Sequence, residues 1–168
     1  MTSRLSKFKD KYGKCLCCRK SFKNIQDELL FPKNIKEILI DINILSETDT
    51  YNILDFSITC THKPNYILDN FPKEINTIIN KYTECELLLK FRLLFHDYYP
   101  FEPPTWSLMQ VKKNFNTDIN LENYYKELVE GHNSHLNAGW SAAINIEKDI
   151  LIFLTKINHF EYIFGIES

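Results

Sequence analysis

The sequence predicts an α+β fold in which an antiparallel four-stranded meander is packed by helices that precede and follow it. Three observations carry this. Apolar residues recur at every second position in several central segments. They recur at helical spacing at both ends of the chain. A further helical pattern interrupts the strands between the second and the third. Helices segregated from an antiparallel sheet form a layered α+β domain.

The first 20 residues are basic and irregular, with Lys7, Lys9, Lys11, Lys14, Arg19 and Lys20 around Cys15-Leu16-Cys17-Cys18. They read as a tail, and residues 21–168 read as one domain. From Ser21 the residues Phe22, Ile25, Leu29 and Leu30 share a helical face, and Pro32 ends that helix. Ile40, Ile42 and Ile44 then alternate with Asp41 and Asn43. Leu54, Phe56, Ile58 and Cys60 alternate with Asp55, Ser57, Thr59 and Thr61. Leu87, Leu89, Phe91, Leu93 and Phe95 give the clearest strand, opposed by Lys90, Arg92 and His96. One apolar and one polar face suit a sheet covered on one side. Between the second and third strands, Pro72 opens a short helix with Ile75, Ile78, Ile79 and Tyr82 on one face. A fourth strand is expected from Thr105 to Val111, anchored by Trp106 and Leu108. Leu121, Tyr124, Tyr125, Leu128 and Val129 predict a helix capped by Asn120 and ended by Gly131. The last long helix runs from about Ile146 to His159, with Asn145 as its cap and Glu147 and Asp149 favouring the positive end of its dipole.

A chain of 168 residues can bury about 70% of its unfolded surface and needs no staples. A net charge of −2 argues against nucleic acid, which calls for a clustered positive face. The start is polar, without an apolar leader, and no apolar run approaches a membrane span; no membrane partner is expected. Five cysteines and no leader point to reduced thiols in an intracellular compartment, cytoplasmic or nuclear. Scarce Gly, abundant Ile and Asn, and Lys well in excess of Arg fit an AT-rich genome, such as that of some large DNA viruses and protists.

Two landmarks go further. Phe95, Asp97, Tyr99, Pro100, Phe101, Pro103 and Pro104 resemble the "F-x-x-D-Y-P-F-x-P-P" step of ubiquitin-conjugating enzymes, with Tyr98 as one added residue. Trp140-Ser141-Ala142-Ala143, running on to Leu151, resembles the family's "W-S-P-A" entry into its central helix, with Ala142 where proline is usual. The resemblance implies a ubiquitin-conjugating-enzyme-like (UBC-like) fold and places the nucleophilic cysteine between the landmarks. Residues 105–139 contain no cysteine, and Gly131-His132-Asn133 lacks the proline of the family's His-Pro-Asn. A helix after the fourth strand is closer to the RWD domain, a non-catalytic relative. The landmarks Tyr99, Pro100, Phe101, Pro103, Pro104 and Trp140 are therefore expected to be structural, with no catalytic residue.

The implied function is a non-catalytic protein-binding module of the ubiquitin pathway. Its partner would be ubiquitin, a ubiquitin-like protein, a conjugating enzyme or a ligase. The alternatives are a divergent conjugating enzyme with an unusual nucleophile, or a structural subunit of a larger assembly, viral assemblies included. His132, eight residues before Trp140, lies close to where the family's cysteine would fall and is expected to be a surface loop residue. Cys60 is expected to be a small buried hydrophobe, and Cys85 opens the third strand. No cofactor is expected. The weak candidate for one is zinc, with Cys15 and Cys18 as a C-x-x-C half-site that Cys60 and His62 would complete. Tyr98, Tyr99, Phe101 and Trp106 are read as core and strand-end packing.

Overall fold

The computed structural model describes Lys7 and residues 37–48, 51–62, 71–82 and 84–165. The N-terminal tail with Cys15 and Cys18, and the helix expected after Ser21, lie outside the described residues. The chain is α+β. Strands β1 (Glu37–Thr48), β2 (Tyr51–His62), β3 (Cys85–Phe95) and β4 (Thr105–Lys113) pair antiparallel in sequence order. Helix α1 (Lys73–Tyr82) lies between β2 and β3 in the chain, and α2 (Leu121–Gly139), α3 (Ile146–Ile157) and α4 (Phe160–Phe164) follow β4.

The period-two patterns of β2 and β3 produce the core. Leu54, Phe56, Ile58 and Cys60 face inward with Leu87, Leu89, Phe91, Leu93 and Phe95, and all are buried. Their register sets Phe56 opposite Phe91 and Ile58 opposite Leu89. On the outer face, Arg92 donates from Nε and from a terminal nitrogen to the two carboxylate oxygens of Asp55, at 2.8 and 3.1 Å. The pair is partly exposed and contributes little to stability. In β4 the register slips by one at Met109, which bulges outward.

Trp106 is the hub between layers. Its ring packs 4.2 Å from Phe153 of α3, and edge-on to Phe56 and Phe91 at 6.2 and 6.4 Å. Helices α2 and α3 close the core with Leu121, Tyr125, Val129 and Leu136, and with Ile146, Ile150, Phe153, Leu154 and Ile157. Both expected caps form: Asn120 accepts from the Asn123 amide at 3.2 Å, and Asn145 accepts from the Lys148 amide at 2.8 Å. Gly165 ends α4 at φ +67°, a conformation that suits glycine.

Two expectations are corrected. Gly131 does not end α2, which continues to Gly139. An interior glycine costs about 1 kcal/mol, less than the roughly 1.5–3 kcal/mol from burying a leucine such as Leu136; His132 is buried in the same stretch. The expected helix α1 forms, and on it Ile75 and Ile78 are exposed, as is Phe71 just before it. Tyr98 and Phe101 are not core residues and project into solvent.

Two buried groups predict the alkaline behaviour. Burial pushes the Cys60 thiol far above its ordinary 9.0, and burial pushes the Tyr125 hydroxyl far above its ordinary 10.0. The unfolded chain then loses these protons first, so stability falls as pH rises past 9 and further past 10. Each group adds a slope of about 1.4 kcal/mol per pH unit. Urea unfolding at stepped pH should show this slope reduced by one such increment in Cys60→Val and by one in Tyr125→Phe. Among the described residues the buried Tyr125 hydroxyl has no hydrogen-bond partner. At pH 7, Tyr125→Phe should therefore be neutral or stabilising by up to about 1 kcal/mol.

Candidate functional site

The two landmarks, 40 residues apart, meet in space. After β3, the Tyr99 amide donates to the His96 carbonyl at 2.9 Å, and the Phe101 amide donates to the Tyr98 carbonyl at 2.7 Å. The Tyr99–Pro100 bond is cis. The Trp140 indole N–H donates to the Pro100 carbonyl at 2.8 Å. The Tyr99 ring lies 4.9 Å from Phe95 and 6.3 Å from Trp140. Pro104 is buried and Pro103 half-buried, so the chain enters β4 on an anchored step. With Tyr99 turned inward, its neighbours are turned out: Tyr98 is 69% and Phe101 80% exposed. Two large aromatics thus stand in solvent on a fixed turn.

The position near which the resemblance would place a cysteine is different in kind. His132 is not a loop residue; it lies inside α2 with no exposed surface. The helix continues through it because Val129, His132 and Leu136 extend the buried stripe. Its Nε2 lies 2.7 Å from Oδ1 of Asp149, itself fully buried. Asp149 Oδ2 accepts from the Trp106 indole N–H at 3.0 Å. The Lys156 ammonium lies 3.0 Å from His132 Nδ1. A carboxylate can only accept and an ammonium can only donate. The arrangement therefore assigns the neutral imidazole with its proton on Nε2. Lys156 is held below its ordinary 10.5 by burial, an effect opposed by the Asp149 charge.

These four side chains join β4, α2 and α3 through one chain of hydrogen bonds. It holds a histidine and a carboxylate, the partners that elsewhere activate a nucleophile. Each polar atom of the His–Asp pair has a partner, within the pair or in Trp106 or Lys156, and both residues are buried. Sequence reasoning assigned Asp149 only to the helix dipole. The overlooked signal was its place three residues after Ile146 and one before Ile150, on the apolar stripe, where an aspartate requires buried partners.

The two described thiols lie elsewhere: Cys60 in the core on β2, Cys85 half-buried at the start of β3. Burial raises both above the ordinary thiol value, which disfavours the thiolate. His62 stacks on Phe164 at 5.5 Å. Among the described residues, no group of three or more His, Cys, Asp or Glu side chains is placed to hold a metal, and no helix is long and apolar enough to cross a membrane. No family model, no curated protein and no solved structure matches this chain.

Asp149→Ala would leave Trp106 Nε1 and His132 Nε2 buried without an acceptor. It should destabilise the fold by about 3–5 kcal/mol, measured by urea unfolding. Trp140→Phe keeps the ring but removes the bond to Pro100, and should cost only about 0.5–1.5 kcal/mol.

Proposed function

We propose that this chain is a non-catalytic UBC-like module that binds a protein of the ubiquitin pathway: ubiquitin, a ubiquitin-like protein, a conjugating enzyme or a ligase. The observation that carries the reading is the state of position 132. Where the resembled family would present a reactive sulfur at an open groove, this chain buries a histidine with no exposed surface and engages both its nitrogens. The family-like landmarks around it are kept together by the Trp140–Pro100 bond. Retaining the scaffold while closing the reactive position fits binding without transfer.

The binding face on this reading is the Tyr98–Phe101 turn. Large aromatics exposed on one turn cost solubility unless a partner covers them, and such residues dominate binding energy at interfaces. The turn also meets the requirement for rigidity, since Tyr99, Pro100 and Trp140 pin it from beneath.

Incubation with activating enzyme, ATP and ubiquitin should give no reductant-sensitive adduct on the chain. Such an adduct, abolished by Cys60→Ala or Cys85→Ala, would establish the divergent-enzyme alternative. Titration of ubiquitin and of ubiquitin-charged conjugating enzyme by calorimetry should show binding to at least one. Tyr98→Ala with Phe101→Ala should weaken it by about tenfold or more, each 1.4 kcal/mol being a factor of ten. The unfolding midpoint should stay unchanged, because neither ring is packed. Stoichiometric co-purification with another protein, and no affinity for either probe, would favour a structural subunit.

A further inference from the structure

β4 is the last strand of the sheet, so among the described residues one of its edges has no strand beside it. That edge borders a cleft of about 560 Å³ whose other wall is α2. At one end of the cleft, Asn133 occupies the edge as a neighbouring strand would. Its Oδ1 accepts from the Trp106 amide, and its Nδ2 donates to the Trp106 carbonyl, both at 2.9 Å. Trp106 therefore shows its backbone groups outward. The alternation of an antiparallel ladder turns those of Leu108 outward too, and past the bulge at Met109 those of Val111. Among the described residues, no backbone bond to these edge groups of Leu108 and Val111 is present. The cleft is thus an incomplete ladder with its first rung filled by a side chain.

The opposite wall carries a charge pattern of matching pitch. Glu122, Lys126 and Glu130 line the cleft at i, i+4 and i+8 of α2. Each step advances about 6 Å along a helix. Two residues of a strand advance about 6.6–6.8 Å. Because Asn133 meets Trp106 and the chain passes from Lys113 through 114–120 into α2, the helix runs back alongside β4. A strand laid in the cleft would therefore set every second side chain against one rung of the Glu–Lys–Glu ladder. No ion pair among the described residues involves any of the three.

We propose that this cleft takes an extended peptide segment of a partner protein by strand addition to β4, with a basic-x-acidic-x-basic pattern facing α2. Backbone bonds at Leu108 and Val111 supply affinity. The intervening side chains of the segment point to the opposite face of the sheet. The alternating charges supply selectivity, since like charges set opposite one another cost affinity. The exposed Tyr98–Phe101 turn takes no part, and the site stands whether or not the partner belongs to the ubiquitin pathway.

The test uses the full chain and two synthetic peptides, acetyl-Thr-Val-Lys-Val-Glu-Val-Lys-Val-Thr-amide and its charge-swapped counterpart with Glu, Lys and Glu at the charged positions. Amide shifts of the labelled protein should move along 107–111 and 122–133 with the first peptide, and the second should bind at least about tenfold more weakly. The triple swap Glu122→Lys, Lys126→Glu, Glu130→Lys, all at exposed positions, should invert that preference, which a loss of fold cannot do. Leu108→Pro removes one edge amide at a position where an edge strand tolerates proline. It should weaken the first peptide while circular dichroism stays unchanged. Equal binding of both peptides, no binding of either, or shifts confined to other surfaces would overturn the proposal. So would a concentration-dependent dimer disrupted by Leu108→Pro, which would assign the edge to a second copy of the chain.

Discussion

The carboxylate of Asp149 has no exposed surface, and much of the fold depends on how it is satisfied. A buried carboxylate without partners is among the most costly groups a core can hold. Two fixed donors, the indole of Trp106 and the imidazole of His132, take its two oxygens. Neither donor can move without exposing the charge to an apolar surround. β4, α2 and α3 are therefore held in one mutual position, which hydrophobic burial, being non-directional, cannot specify by itself. The Lys156 ammonium at His132 Nδ1 supplies the balancing positive charge at the edge of the core.

That fixed position reaches outward in two directions. Trp106 is held from the core by Asp149 and Phe153, and from the edge by the amide of Asn133. His132, which grips the carboxylate, and Asn133, which grips the strand backbone, are adjacent on α2. One turn of helix thus sets both the depth of the core lock and the spacing of the β4 cleft. In the other direction, α3 begins just after Trp140, whose bond to Pro100 seats the turn that presents Tyr98 and Phe101. The core polar network and the two surface features are consecutive parts of one framework.

The α+β class was legible because its signals are local. Period-two burial in β2 and β3, the Asn120 and Asn145 caps and the stripe of α3 each follow from residues close in sequence. Helix α1 was legible for the same reason. The failures came where a distant residue decided the outcome. Gly131 looked like a helix end because propensity is read locally, whereas the burial of Leu136 carries the helix through it. His132 looked like a surface residue because its partners, Asp149 and Lys156, lie 17 and 24 residues away. Tyr98 and Phe101 looked like packing residues because hydrophobicity was weighed without the backbone turn that points them outward. The edge pairing by Asn133 left no mark in the sequence, since an asparagine in a helix reads as neutral.

On the reading proposed above, the burial of His132 bears on how transfer chemistry would be excluded at this position. A sulfur placed there would lie in a site without solvent, close to the Asp149 carboxylate. Burial and a neighbouring negative charge both oppose formation of a thiolate, as burial already does for Cys60. It would also give up the proton that His132 donates, leaving Asp149 with a single fixed donor in Trp106. Placing a nucleophile there thus demands more than one residue: the helix would have to open between Val129 and Leu136, and the carboxylate would need another partner. On that reading, the residue near the expected reactive position is the same residue that satisfies the core, so transfer chemistry there and the packed fold would be opposed requirements.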